Sequence, residues 1–236
     1  MSDHIVLLTA PEFAAVAVGP LRAEREDLTV TAAYTAQTVH ELLNQHVGRN
    51  RLIGFATGVI VPPDLLRRFD AGAYNFHGGP PTYPGVFPSV FAIYDGATKF
   101  GATLHEMSND VDTGAIVATE SFDLPPTADR LTVDTLALQA MLNLLSRMAP
   151  QLVRLDRRLR LNGENWSGPV RRQRDFSALC HLPDDVSRTE FDRRYRAVGE
   201  GPNHALELSV HGHRFKLDNR RDNPIVRASA PVRRSA

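Results

Sequence analysis

The sequence predicts an α/β protein: a mostly parallel sheet with helices on both faces, followed by a small C-terminal α+β module. Three observations carry that expectation. Residues 4–9 form a continuous apolar run bounded by Pro11, the pattern of a parallel strand buried on both faces. Strand-like and helix-like stretches then alternate at the spacing of βαβ units. Beyond Leu152 the composition turns Arg-rich and less apolar, which marks the second module.

After the first strand, residues 12–25 carry Phe13, Val16 and, past Gly19 and Pro20, Leu21, so an interrupted helix is expected. Residues 28–34 return to strand composition. Residues 37–47 place Val39, Leu42, Leu43 and Val47 at helical spacing, with Gly48 as the stop. Residues 51–56 read as a strand, and Pro62 and Pro63 open a short helix over 64–69, because proline is tolerated in a first turn. Residues 73–77 make the next strand. A short amphipathic helix over 89–96 leads to two strands, 100–107 and 115–122, separated by the turn-forming loop 108–114. Residues 132–148 put Val133, Leu136, Ala140, Met141, Leu144, Leu145 and Met148 on one helical face, and Pro150 is expected to end or kink that helix.

A domain of residues 1–150 therefore precedes a module of residues 151–218, with the boundary expected near 152–168, where Asn162, Gly163, Gly168 and Pro169 mark a loop. Within the module, Ser187 with Glu190 predicts a capping box opening a helix that carries Phe191, Tyr195 and Val198. Residues 205–217 predict a hairpin turning at His211-Gly212-His213. Residues 219–236, with five arginines from Arg220 to Arg234, lack apolar periodicity and are expected to form a loose tail.

Composition excludes several function classes. Lys+Arg and Asp+Glu are both 27, for a net charge of +0, so no overall basic field exists to hold nucleic acid by phosphate neutralisation. No uninterrupted apolar stretch approaches the ~20 residues of a membrane span. The start of the chain, MSDHIVLLTAPEF, lacks the charged and small-residue pattern of a leader, so a cytoplasmic protein is expected. Cys180 stands alone and cannot form an intramolecular disulfide. Neither a phosphate-cradling loop nor a dinucleotide glycine fingerprint follows the first strand. His211 and His213 lack the further ligands a metal needs, and no metal is expected.

The chemically informative stretch is Tyr74 to Pro81. Asn75 and His77 lie two apart at a strand end and so project to the same face, while Gly78-Gly79-Pro80-Pro81 turns the chain away. Ligands of open α/β sheets bind beyond such strand ends. Two readings follow from the residues: a catalytic pair, or two polar side chains satisfying loop backbone groups. The second cluster, His105 to Gly114, holds Asp110 and Asp112 in a loop expected to neighbour the first site. A carboxylate beside His77 would favour its protonated form; alone, the loop reads as a solvated turn.

Asn75-x-His77, the loop closing at Tyr83-Pro84-Gly85, Gly101-Ala102-Thr103-Leu104-His105 and Asp112-Thr113-Gly114-Ala115-Ile116 together resemble the folate-dependent formyltransferases. The resemblance spans roughly 51–122; more weakly, Trp166-Ser167-Gly168 to Arg174-Asp175-Phe176 looks like the linker of sugar N-formyltransferases. It implies Asn75, His77 and Asp112 as catalytic residues and N10-formyltetrahydrofolate as co-substrate. Phe55, Thr57, Gly58, Val59, Ile60, Asn109 and Asp110 would line the folate slot, although Phe55, Val59 and Ile60 also read as ordinary core. Gly78, Gly79, Tyr83 and His105 would face the acceptor. Where the family usually reads Pro-Ser-Leu-Leu-Pro after the histidine, this chain departs with Gly78-Gly79-Pro80-Pro81. The implied partner is a small-molecule amine, foremost an amino-sugar nucleotide, with a homodimer allowed. Water as acceptor, and a non-catalytic relative that binds a ligand or partner protein, are the alternatives.

Overall fold

A computed structural model describes residues 3–198 and 206–217; the expected tail and Ala205 of the expected hairpin lie outside them. The chain runs β1 (His4–Thr9), a 3₁₀ turn (Pro11–Phe13), α1 (Ala14–Glu24), β2 (Thr29–Ala33), α2 (Ala36–Gln45), β3 (Asn50–Phe55), α3 (Pro63–Leu66) and β4 (Ala73–His77). It continues through α4 (Pro88–Asp95), β5 (Lys99–Glu106), β6 (Ile116–Asp123), α5 (Arg130–Leu152), α6 (Gln173–Cys180) and α7 (Arg188–Val198) to a hairpin of β7 (Glu207–Val210) and β8 (His213–Lys216). Six strands form one sheet in the order β2-β1-β3-β4-β5-β6. The first four are parallel, and β5 alone runs against its neighbours. Among the described residues, no helix is long and apolar enough to cross a membrane.

Strand alternation sorts the side chains of this sheet. Ile53, Phe55, Tyr74, Phe76, Ala102 and Leu104 pack with Ala17 and Leu21 of α1 and Leu144, Leu145 and Met148 of α5. The other face presents Val6, Leu8, Leu52 and Ala73 to Val39 and Leu43 of α2 and Leu65 of α3. On that second face the apolar pattern stops at β4. The register continues it with polar residues, Asn75 opposite His105 and His77 opposite Thr103. Gly54 of β3 lies beside Asn75 in the same row.

A further apolar cluster joins Val90–Ile93 of α4 and Val133 and Ala137 of α5 to Phe176 and Leu179 of α6 and Ala197 and Val198 of α7. α4 is thus buried through its middle rather than amphipathic. Its residues from Ser89 to Ile93 are all enclosed because α5, α6 and α7 wrap it.

Several expectations are corrected. Pro150 does not end α5, which runs to Leu152; the chain already leaves the helix two residues later, and the buried Arg51 guanidinium takes the freed carbonyls of Gln151 (3.2 Å) and Leu152 (2.5 Å). α1 passes through Gly19 and Pro20 without a break, and Val16, expected on its apolar face, is exposed. α2 stops at Gln45, leaving Val47 in solvent, and α3 spans only Pro63–Leu66. At α7 only half the capping box forms: the Glu190 N–H donates to Ser187 Oγ (3.2 Å), while the Glu190 carboxylate accepts from Arg194 (2.6 Å) and Tyr94 (2.9 Å). The helix α6 was not anticipated. Arg174 and the arginines just before it, Arg171 and Arg172, masked a buried Phe176, Leu179, Cys180 stripe, and its start is held by the Arg172 N–H donating to Asp175 (2.7 Å).

Candidate active site

Where the helices leave the second face of the sheet uncovered, four polar side chains converge. Asp112 lies in the β5–β6 connection between exposed Val111 and Thr113, yet its own side chain is buried. A left-handed backbone, φ 50°, turns it inward. Its Oδ2 faces His77 Nδ1 at 3.1 Å and its Oδ1 faces His105 Nε2 at 3.2 Å. The Gly85 N–H donates to the same carboxylate at 2.9 Å. Asn75 completes the group, its Nδ2 lying 3.3 Å from His105 Nε2. Asn75 sits in mid-strand, so the group occupies the sheet face over β4 and β5 rather than only the space beyond the strand ends.

These contacts set the electrostatics. Burial works to raise the Asp112 pKa, but hydrogen bonds and charge from His105 and His77 outweigh it and hold the carboxyl well below the ordinary carboxylate range. A carboxylate therefore lies between two imidazoles. Both ring nitrogens of His77 face acceptors, Asp112 at Nδ1 and the Tyr83 carbonyl at Nε2 (2.9 Å), and only a doubly protonated ring donates to both. His105 is fixed by its Nδ1, which donates to the Glu106 carbonyl at 2.8 Å.

Two segments close over the group. The loop 78–86 turns back so that Tyr83 and Gly85 reach His77 and Asp112 through their backbones. A Cβ on Gly79 would stand 2.6 Å from His77 Nε2 and 2.7 Å from Pro88 Cβ, so the second glycine of the unusual loop is what lets the chain pass the ring. The segment 166–171 then pins this loop: Ser167 N–H donates to the Pro81 carbonyl (3.0 Å), Arg171 N–H to Pro84 (2.9 Å) and Val86 N–H to Arg171 (3.0 Å). Trp166 lies against both imidazoles.

Other residues expected at the site fall elsewhere. Phe55 alternates onto the opposite face, where it is fully buried in the α1 and α5 core beside Phe76, so it lines no slot next to Asn75. Val59 packs partly into the α2 and α3 cluster, and Ile60 is 67% exposed. Thr57 Oγ1 accepts from the Val59 N–H (3.2 Å), and Gly58 borders open space. Asn109 and Asp110 are exposed. Gly78 approaches Met141 of α5. Tyr83 contributes its carbonyl, while its phenol interacts with Asp95; burial first, then that carboxylate, raises its pKa. Arg171 lays its guanidinium over Phe91 at 4.6 Å. Gly54, unremarked in the sequence, is where a Cβ would meet Asn75 Oδ1 at 2.6 Å. Among the described residues, no three His, Cys, Asp or Glu side chains form a metal-holding group.

The fold and this cluster define an open-sheet α/β protein with an amide, an imidazole pair and a carboxylate on one uncovered face. Residues 14–147, more than half of the chain, match the formyl transferase family, and the chain belongs to it. Among curated relatives, it is 29% identical over 157 residues to a methionyl-tRNA formyltransferase of Sorangium cellulosum, covering 64% of this chain and 46% of that one. A methionyl-tRNA formyltransferase of Lactobacillus acidophilus is 23% identical over 201 residues, 84% of this chain and 62% of that one. The chain thus spans less than two thirds of these relatives. Of solved structures, a sugar N-formyltransferase from a Shewanella species superposes with a TM-score of 0.75 at 21% identity, covering 92% of this chain and 96% of that one. An N-formyltransferase of Helicobacter canadensis, in complex with folinic acid and dTDP-3-aminofucose, gives 0.63 at 16% identity, covering 90% and 85%.

Proposed function

We propose that this protein transfers a formyl group from N10-formyltetrahydrofolate to a primary amine, foremost that of an amino-sugar nucleotide. The observation that carries the reading is the buried Asp112 carboxylate shared by His77 and His105, with the Asn75 amide alongside. Family membership supports formyl transfer. The fold shared with sugar N-formyltransferases among the solved structures favours a sugar acceptor.

The donor set fits such a co-substrate. The folate supplies a formyl carbon whose oxygen gathers negative charge as an amine attacks. Two N–H groups of this chain suit that charge: Asn75 Nδ2 and protonated His77. Removing one donor of this kind typically costs roughly 2.7–4 kcal/mol of barrier. His77 Nε2 is engaged by the Tyr83 carbonyl at 2.9 Å, so the loop 78–86 must release that bond before the nitrogen can serve the formyl oxygen. Asp112 holds the His77 proton at Nδ1 and, directly or through water, relays the proton that the attacking nitrogen sheds to the folate N10, whose bond to the formyl carbon breaks as the tetrahedral intermediate collapses and tetrahydrofolate leaves. Fixed at both ring nitrogens, His105 keeps the carboxylate and the amide in register.

The test is to incubate purified protein with 10-formyltetrahydrofolate and a panel of nucleotide-linked amino sugars, reading the formyl mass gain on the sugar and free formate separately. A formylated sugar nucleotide is expected. Formate release without an amine would replace transfer by hydrolysis. Failure both to bind 5-formyltetrahydrofolate and to formylate any amine would overturn the reading.

A further inference from the structure

We propose that Trp166 is a positioning residue of the imidazole–carboxylate group: it fixes the ring planes of His77 and His105 and screens their shared carboxylate from water. This inference rests on the formyl-transfer reading for its kinetic consequence, though not for its geometry.

The segment around Trp166 gives the first argument. From Arg160 to Val170 the chain has no helix or strand, and every residue is exposed except Trp166 and Gly168. An extended polar stretch that turns one large aromatic inward does so for what lies beneath it. The indole meets His105 at 5.1 Å between ring centroids with planes 81° apart, and His77 at 5.7 Å and 72°. Both are edge-to-face contacts of the kind aromatic rings favour. A single side chain thus touches both imidazoles that share Asp112.

The indole is also anchored. Its Nε1–H donates to the Gly114 carbonyl at 2.7 Å, two residues from Asp112, so the ring is tied to the turn that aims the carboxylate. The backbone on either side is locked as well. Asn162 N–H donates to the Ile116 carbonyl, Ser167 N–H to Pro81, and a Cβ on Gly168 would collide with the Thr82 carbonyl. Trp166 therefore cannot swing without disturbing both the Asp112 turn and the loop that covers His77. Two stiff rings and a fixed carboxylate keep the Nδ1–Oδ2 and Nε2–Oδ1 contacts in line; without the indole, the imidazoles gain room to rotate and water gains a route to Asp112.

Because the chain holds one tryptophan, its indole N–H gives a single NMR resonance that reports on this contact alone. That resonance is expected to shift in His77→Gln and in His105→Gln; an unchanged resonance in both variants would overturn the contact. Trp166→Leu should lower kcat for formyl transfer about 100-fold, the scale of a 1 Å misplacement, with little change in KM for the folate. Trp166→Phe, which keeps an aromatic ring but loses the Gly114 bond, should recover at least about tenfold of that loss. Equal kcat in Leu and parent proteins of matched circular dichroism, or a loss that follows unfolding and is not rescued by Phe, would sink the proposal. Should the parent transfer no formyl group, the reaction assigned above fails while the resonance measurements still decide the role of Trp166.

Discussion

The sheet buries charge in two places, and the contrast between them says more about function than either alone. At the amino ends of β1 and β3 lie Asp3, His4 and Arg51; on the open face over β4 and β5 lie His77, His105 and Asp112. All six are nearly inaccessible. At the first place His4 is neutral, and the Arg51 and Asp3 charges meet fixed partners. Arg51 donates to the carbonyls of Ala71 (3.0 Å), Gln151, Leu152 and Arg157 (2.6 Å) and lies over the Tyr74 ring. Asp3 accepts from Arg25 (2.6 Å) and Arg49 (2.8 Å). A cavity of about 380 Å³ opens beside them, and of the charges that line it Asp3, Arg25 and Arg49 are paired in this way. At the second place two imidazoles share one carboxylate. Burial of charge marks both ends; a carboxylate set between two imidazoles marks one.

Asp112→Asn should break this contrast hardest. The amide can keep the Gly85 bond, so the fold should persist, but it cannot neutralise a charged His77. Formyl transfer should fall by about 10²–10⁴-fold, the range of general acid–base contributions, and the urea midpoint should fall as well, because the carboxylate held low between two imidazoles stabilises the folded chain at neutral pH. A variant that retains activity would remove Asp112 from the chemistry. Arg51→Met is the mirror experiment. The buried bonds to the Ala71 and Leu152 carbonyls and the part-buried bonds to Gln151 and Arg157 are lost, at roughly 1–3 kcal/mol for each buried group left unsatisfied, so stability should drop by at least about 2 kcal/mol while activity per folded molecule holds.

Smaller substitutions sharpen the comparison on the active face. Gly79→Ala drives a methyl against His77 Nε2 and Pro88, and Gly54→Ala drives one against Asn75 Oδ1 and Met107, so each should lower kcat by about 10- to 100-fold. Tyr83→Phe should do little, within about 0.5 kcal/mol of the parent in barrier, because the loop reaches His77 through a carbonyl. A large loss in that variant would return the phenol to the site.

Much of this was legible in the sequence, for reasons that also explain what was not. The apolar run 4–9 and the period of 132–148 report burial on both faces of a sheet and on one face of a helix, and both elements are found where expected. Asn75 and His77 could be paired from strand alternation alone. The same alternation should have warned against Phe55, which shares parity with Ile53 rather than with Gly54. Partners that act through backbone carried no signal: the Tyr83 carbonyl and the Gly85 N–H are invisible to residue type. The inward turn of Trp166 depends on contacts distant in sequence, and its only cue was a single indole in an otherwise polar stretch.

The mildest prediction concerns the structural end. His4 is buried, its Nε2 bonded to Thr31 Oγ1 at 3.0 Å and its ring 4.7 Å from His46. Desolvation, then the nearby His46 charge, lowers its pKa to about 4 from 6.5. Above pH 6.5 the ring is neutral whether folded or unfolded, so His4 contributes no slope. Between 6.5 and about 4 the unfolded chain binds a proton that the folded one refuses, and stability falls as pH falls, by at most about 1.4 kcal/mol per pH unit. Below that window the folded ring also titrates, and further acid losses belong to Asp3 and Asp112, whose carboxyls are held low. Urea unfolding at pH 7, 5.5 and 4.5 measures the slope, and His4→Leu should flatten it in that interval while leaving formyl transfer at pH 7 unchanged. An identical slope in parent and variant would mean that water reaches this ring.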